Sequence, residues 1–325
     1  MMKKTISQCM IVKNEEKNIR RALSWGKDIM CEQIVVDTGS SDRTVEIARE
    51  MGAKIFFFPW INDFAAAKNF AIDQAKGDWI AFLDADESFT PEDTAKIPEI
   101  LEYVGDDVDG LLTGIADLDE NNNITSGGTM LRFFVNRPDL RYVGKIHEHL
   151  VRKGRSGLHL TDATKQLTFL HTGYQEQEKK DKSKFERNLN IILEILKQEP
   201  ENCDYLGYLG DTYSSDGKNE EARKAYQKAV AAMPEKLEVY DQRSSYTYTN
   251  LLRVSQCLNA LEAEVEAIYK EAVEKLPKEP DFDCVMGDWY WRKGQYEKAV
   301  QMYELAIAKL ETYGTVNRGI ITTSM

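Results

Sequence analysis

Trp79-Ile80-Ala81-Phe82-Leu83-Asp84-Ala85-Asp86-Glu87 is an apolar run that stops abruptly at three acids. Gly77-Asp78 precede it and Thr90-Pro91 follow, the length and punctuation of a buried parallel strand ending at a sheet's carboxyl edge. Open α/β sheets bind their ligands at that edge. Asp84 and Asp86 at such a strand end can address a divalent cation and a neighbouring ribose or phosphate oxygen, the oxygen-rich coordination that Mg²⁺ and Mn²⁺ take. A solvated acidic loop after a core strand is the competing reading.

Upstream of this run two periodicities alternate. Ile6 to Val12 reads as a strand, Asn18 to about Ile29 as a helix, and Glu32 to Val36 as a second strand. Asp37-Thr38-Gly39-Ser40-Ser41-Asp42 makes a turn, with Asp42 or Ser41 capping a helix that runs to about Met51. Lys54 to Phe58 follows as a strand and Phe64 to Gln74 as a helix. This βαβαβαβ series predicts a mostly parallel, helix-covered α/β sheet.

Downstream the pattern loosens. Pro91 to Val104 reads as a helix, and Asp109 to Ala116 and Thr129 to Val135 as strands around a polar turn at Asn121-Asn122-Asn123. Tyr142 to His149 reads as an ordered loop or short helix, with further strands near Gly157 to Thr161 and Gln166 to His171.

From about Lys179 the composition turns to amphipathic helix. Leu206, Leu209-Gly210, Tyr213, Ala222, Tyr226, Ala229 and Pro234 match the tetratricopeptide spacing, and Met286-Gly287, Tyr290, Ala299, Tyr303 and Ala306 repeat it. Pro200 to Pro234 and Ala272 to Ala306 are both 34 residues apart, whereas Ala229 to Ala272 is 43, so the middle unit carries an insertion near Glu238 to Ser245. The expected division is an α/β domain over residues 1–175 and an all-α repeat domain over 176–325. Repeats stabilise one another by stacking.

The chain of 325 residues is long enough for two such domains. A formal charge of -12 gives no cationic field to collect nucleic-acid phosphates, so general nucleic-acid binding is not expected. Cys9, Cys31, Cys203, Cys257 and Cys284 show neither a zinc spacing nor a disulfide framework. No secretory leader or transmembrane run is evident, and the expected location is cytoplasmic.

No GxGxxG follows the first strand and no GxxxxGK[ST] occurs, which removes the usual dehydrogenase and P-loop signatures. What remains is an acid ending the second strand, Asp37, and the acids ending the fourth. A nucleotide laid across that edge can bond its base to Asp37 and set its diphosphate beside a metal at Asp86.

These residues carry a resemblance. Ile11-Val12-Lys13-Asn14-Glu15, Ile34-Val35-Val36-Asp37-Thr38-Gly39-Ser40-Ser41-Asp42-Arg43-Thr44 and Phe82-Leu83-Asp84-Ala85-Asp86-Glu87 resemble the family 2 inverting glycosyltransferases of GT-A fold. Trp60-Ile61-Asn62-Asp63-Phe64-Ala65-Ala66-Ala67-Lys68-Asn69, Gly144-Lys145-Ile146-His147-Glu148 and Phe169-Leu170-His171-Thr172-Gly173-Tyr174, with the repeats, resemble bacterial peptide S-glycosyltransferases of glycosylated bacteriocins. The resemblance implies a UDP-sugar donor, Asp37 on the uracil, Asp84 near the ribose and Asp86 on Mg²⁺ or Mn²⁺. Lys68 stands where relatives often carry arginine and offers a charge to nucleotide or phosphate without a bidentate fork. A peptide or protein acceptor is implied through the repeats, and self-association stays open.

Inverting transfer needs a base to take the acceptor's proton while its nucleophilic atom attacks from the side opposite the leaving nucleotide. Glu148, in Lys145-Ile146-His147-Glu148-His149, is the first candidate and His147 the second. His171, ending an apolar run, is the candidate to complete the metal shell with Asp86 or contact the diphosphate; a structural histidine is the alternative. Arg132 is a candidate sugar or phosphate contact. Trp79 is expected in the core, Asp63 as a helix cap, and Arg141 as an ion-pair partner. Two other functions remain open: a repeat-based interaction module with a degenerate sheet domain, and nucleotidyl transfer, which calls for a more basic triphosphate pocket.

Overall fold

The structure is a computed structural model and describes residues 4–172, 182–239 and 241–316. These form two compact units, residues 4–172 and those from 182 onward. The expected boundary between residues 175 and 176, and the motif residues Gly173 and Tyr174, lie outside the described residues.

The first unit opens with β1 (Ile6–Val12), α1 (Ile19–Ser24), β2 (Glu32–Asp37), α2 (Thr44–Glu50), β3 (Lys54–Phe57), α3 (Phe64–Asp73) and β4 (Trp79–Phe82), the alternation expected from the sequence. β5 (Glu87–Phe89), α4 (Pro91–Tyr103), β6 (Gly110–Leu118), β7 (Ile124–Val135), β8 (Leu140–Val143), β9 (His149–Arg152), β10 (Leu160–Asp162) and β11 (Thr168–His171) follow. The sheet order is β3-β2-β1-β4-β7-β6-β11-β5, with β10 also paired to β6. Pairing is parallel from β3 to β4, whereas β7 joins both β4 and β6 antiparallel. The sheet is therefore mixed, with a parallel half that ends where the first expected run ends.

That run is an unbroken apolar segment because β4 is buried on both faces. Trp79, Ala81 and Leu83 enter one core cluster with Ile97, Leu101 and Phe169. Ile80 and Phe82 point the other way, against Ala71, Ile72 and Tyr142. On that second face, α3 starts at Asp63, whose Oδ1 accepts from the Ala66 amide at 2.8 Å. Its small residues Ala67 and Ala71 are fully buried and allow close approach to the sheet.

Two parts of the first unit differ from expectation. Of the loop or short helix expected over 142–149, the loop is present at residues 144–148, but it is the turn of a separate antiparallel hairpin of β8 and β9 that was not expected. Arg152 of β9 bonds Asp109 at 2.8 Å and Asp139 at 3.0 Å, and Leu140, Tyr142 and Leu150 are buried in the core, so charge pairs and apolar side chains together anchor the hairpin. β5 begins immediately after the acids and pairs with β11, turning the chain back at the sheet edge.

The second unit is helical throughout its described residues: α5 (Lys182–Gln198), α6 (Cys203–Ser215), α7 (Asn219–Ala232), α8 (Gln242–Cys257), α9 (Glu262–Lys275), α10 (Asp281–Arg292) and α11 (Tyr296–Val316). Tyr226 of α7 packs so tightly on Gly210 of α6 that a Cβ there would lie 2.4 Å from its ring. Gly287 meets Tyr303 in the same way, at 2.6 Å. The insertion in the middle repeat falls on the connection ahead of α8 and on that longer helix. No helix among the described residues is long and apolar enough to cross a membrane.

Candidate active site

Asp37 ends β2 and is 4% exposed, as a residue at the sheet's carboxyl edge must be if its strand is central. Its carboxylate accepts from the amides of Gly39 and Ser40 at 3.1 Å, which shapes the Thr38-Gly39-Ser40 turn. A carboxylate has further lone pairs, so this turn leaves it able to accept another donor. Asp37 shares the edge with the acids after β4 and lies on the far side of β1 from them.

The acids after β4 sit in a network of charges. Arg132 of β7, 6% exposed, donates through Nη2 to Asp84 Oδ2 at 3.1 Å and also to Glu87 Oε1. Glu87 in turn accepts from the Asp84 amide at 3.0 Å through its other oxygen. Burial pushes Glu87 up to about 7 against the pull of Arg132, and the Asp84 charge adds to the rise. Asp84 is held below the usual carboxylate range, because Lys68, Arg132 and His171 outweigh the desolvation that opposes its charge. Arg132 thus braces the acidic turn through Nη2, beside the place where the sugar or phosphate contact was expected of it.

Lys68 projects from α3 into the same region and is 6% exposed. Its Nζ lies 2.7 Å from Glu148 Oε1 and 5.1 and 5.0 Å from the ring centroids of Phe82 and Tyr142. Burial works against its charge, yet Glu148 and Asp84 outweigh it and push the ammonium up. The structure therefore joins two residues that the sequence offered for separate roles. Glu148 is half-buried in the β8–β9 turn, whose Lys145 carbonyl accepts from the Phe64 amide at 2.8 Å and so ties the turn to the start of α3. His147 is exposed in that turn, at φ +54°, a left-handed conformation rare for a residue with a side chain of this size.

His171 ends β11, between β6 and β5. Its Nε2 is 3.3 Å from Asp86 Oδ2 and its Nδ1 is 2.7 Å from Asp117 Oδ1. The hydrogen bond to Asp86 raises the imidazole to about 9, against a desolvation penalty and with further support from Asp117. Arg21 of α1 closes this side, donating to Thr172 Oγ1 at 2.5 Å and to the Asp86 carbonyl at 3.4 Å. Asp117 and Arg21 are members of the site that sequence reading missed, and Glu87 was read only as the third acid of the run.

No group of three or more His, Cys, Asp or Glu side chains among the described residues is arranged to hold a metal ion by itself. Asp86 and His171 nonetheless present an oxygen and a nitrogen side by side, a donor pair that fits a divalent cation whose other positions a diphosphate and water would fill. The expected core packing of Trp79, 3% exposed, and the ion pair of Arg141 with Asp73 at 2.9 Å are both present.

The sheet, its covering helices and the acids and buried cations at one edge define an α/β class, and comparison with known proteins specifies it. Residues 7–151 match the model of Glycosyl transferase family 2, and residues 205–235 and 285–314 match tetratricopeptide repeat models. The chain carries a family 2 glycosyltransferase domain followed by tetratricopeptide repeats. It is 32% identical over 231 residues to the SPbeta prophage-derived glycosyltransferase SunS of Bacillus subtilis, covering 70% of this chain and 53% of that protein. It is 33% identical over 218 residues to a TPR repeat-containing protein of Synechococcus elongatus, covering 65% of this chain and 53% of that one. The chain thus spans about half the length of the curated relatives it matches. Among solved structures, it aligns with glucosyl-3-phosphoglycerate synthase from Mycobacterium tuberculosis, in complex with Mn²⁺, UDP and glucosyl-3-phosphoglycerate. That alignment has a TM-score of 0.28 and 21% identity, over 36% of this chain and 44% of the other.

Proposed function

We propose that this protein transfers a hexose or N-acetylhexosamine from a UDP-sugar to a side chain of a peptide or protein, with inversion at the anomeric carbon and with Mg²⁺ or Mn²⁺ assisting. The observation that carries this reading is the convergence of Asp86 with His171, and of Lys68 with Glu148, on one edge of a family 2 domain. In this reading Asp37 accepts from the uracil and Asp84, braced by Arg132, faces the ribose. Asp86 and His171 would hold the cation, which supplies positive charge against the developing charge on the departing diphosphate.

The chain's own groups then account for the proton and the geometry. Glu148, oriented by Lys68, takes the proton from the acceptor's nucleophilic atom as that atom bonds to the anomeric carbon. The bond from that carbon to the phosphate oxygen breaks on the opposite face, and UDP leaves with the electron pair. His147 is the alternative proton acceptor in the same turn. The repeats would present the acceptor, as the likeness to SunS and the two repeat matches support.

The test is a panel of UDP-sugars with Mg²⁺ or Mn²⁺ and candidate peptides, read by mass spectrometry. A glycosylated peptide is the expected product. Donor hydrolysis without any glycosylated acceptor, across the panel, would remove the transferase reading.

A further inference from the structure

We propose that Asp117, steadied by Ser126, is a positioning residue that fixes His171 with Nε2 toward Asp86 and thereby strengthens the hold of that pair on a divalent cation. The inference rests on the metal reading of Asp86 and His171 given above and names the residues that orient its imidazole.

Strand register makes the arrangement. His171 on β11 is the parallel partner of Asp117 on β6, so the two side chains stand side by side on one face. Asp117 is in turn the antiparallel partner of Ser126 on β7, whose hydroxyl donates to Asp117 Oδ2. The other carboxylate oxygen, Oδ1, is 2.7 Å from His171 Nδ1. On the opposite side β11 is held to the acidic turn by the Thr172 amide, which donates to the Asp86 carbonyl at 3.1 Å. Serine, aspartate, histidine and Asp86 therefore follow one another across four segments of the sheet edge.

A carboxylate beside Nδ1 accepts a hydrogen bond from Nδ1–H and so favours the proton there, which leaves Nε2 as the nitrogen whose lone pair can face a cation. Carboxylates in this position orient ligating imidazoles and raise their basicity. Asp117 is only 16% exposed and His171 22%, so solvent competes weakly for the bond.

The full chain, without donor, is titrated with Mn²⁺ and the free ion followed by electron paramagnetic resonance, for wild type, H171A, D117A and S126A. Asp117→Ala is expected to weaken Mn²⁺ by about 10- to 100-fold, in the range found for residues behind metal-bound histidines. Histidine ¹⁵N spectra with Zn²⁺ as a diamagnetic probe give a second readout, which a merely structural role would not move. Wild type should show His171 protonated at Nδ1, and D117A should lose that preference. Wild-type Mn²⁺ affinity in D117A, with H171A weakened, overturns this inference and leaves the metal reading standing. Unchanged affinity in H171A overturns the metal reading itself. Should D117A fail to fold, S126A carries the test: it should weaken Mn²⁺ in the same direction by a smaller factor, and no change would overturn the inference.

Discussion

Lys68 Nζ and Glu148 Oε1 meet at 2.7 Å with their side chains only 7% and 13% exposed, an ion pair that joins α3 to the β8–β9 turn. A buried pair of this kind is costly to break, because the partner left behind is an uncompensated charge. Lys68→Ala should therefore destabilise the protein by about 3–5 kcal/mol, and Glu148→Ala by a similar amount. The double change Lys68→Met with Glu148→Leu should recover most of that loss. Urea unfolding midpoints measure all three, and a Lys68→Ala protein as stable as wild type would mean the pair is not buried in solution.

Chemistry separates Glu148 from its neighbour. Glu148→Gln keeps the side chain's size and its hydrogen bonding to Lys68 while removing the proposed base. Transfer should fall by about 10²- to 10⁴-fold with donor affinity nearly unchanged. His147→Ala should leave most of the rate. The reverse outcome, a severe loss with His147→Ala and none with Glu148→Gln, assigns the proton to the histidine.

Chelation should stop the reaction before it disturbs the fold. Treatment with EDTA is expected to abolish transfer and Mn²⁺ to restore it, while far-UV circular dichroism stays the same. Asp86→Ala should behave as the chelated enzyme does and should not be rescued by excess Mn²⁺. Full turnover of either the chelated protein or the Asp86→Ala variant would separate Asp86 from any metal.

Much of this was legible in the sequence, for physical reasons that also mark where legibility ends. β1, β2 and β4 stand out because strands buried on both faces are written as apolar runs, and Asp37, Asp84 and Asp86 stand out because they end such runs. β8 and β9 are short and interleave Arg141, His149 and Arg152 with apolar residues, so their local pattern is weak and their anchor, Arg152 to Asp109, is remote in sequence. The Lys68–Glu148 pair is invisible for the same reason, since tertiary packing alone brings α3 to that turn. Asp117 reads as one of several acids near a polar turn. Its signal was alternation: it follows Thr113 and Ile115 at every second position of β6 and so shares their face.

The repeats make a steric prediction. Gly210→Ala places a methyl against the Tyr226 ring, at a site where the ring is fully buried and cannot swing away. The loss should be about 1–3 kcal/mol, as for other overpacked cores. Alanine at Tyr226 combined with Gly210→Ala should relieve the clash but leave a cavity. A thermal melt showing Gly210→Ala unchanged would mean the two helices cross further apart.

Alkaline pH probes the same helices through their tyrosines. Tyr226, Tyr248, Tyr269, Tyr290 and Tyr303 each donate a hydroxyl to a carboxylate, at 2.8 Å to Asp211, 2.9 Å to Glu271, 2.6 Å to Asp283, 2.7 Å to Glu266 and 2.7 Å to Asp288. Burial first, and then the adjacent carboxylate, pushes the first four phenols up. For Tyr303 the bond to Asp288 leads, and the phenol rises to about 12. A folded value above the unfolded one, about 10, means the fold favours the protonated phenol. Its stabilisation is complete below pH ~10 and is lost as pH climbs through the folded value. Helical signal should thus hold up to pH ~10 and fall above it, in step with tyrosinate absorbance. Tyr226→Phe removes one titrating group and leaves Asp211 with its bonds to Asn250 and Arg243, at 3.0 and 2.7 Å, so that variant should resist alkali better than wild type. Phenols that ionise near pH ~10 while the helices persist would show that these bonds do not couple titration to folding.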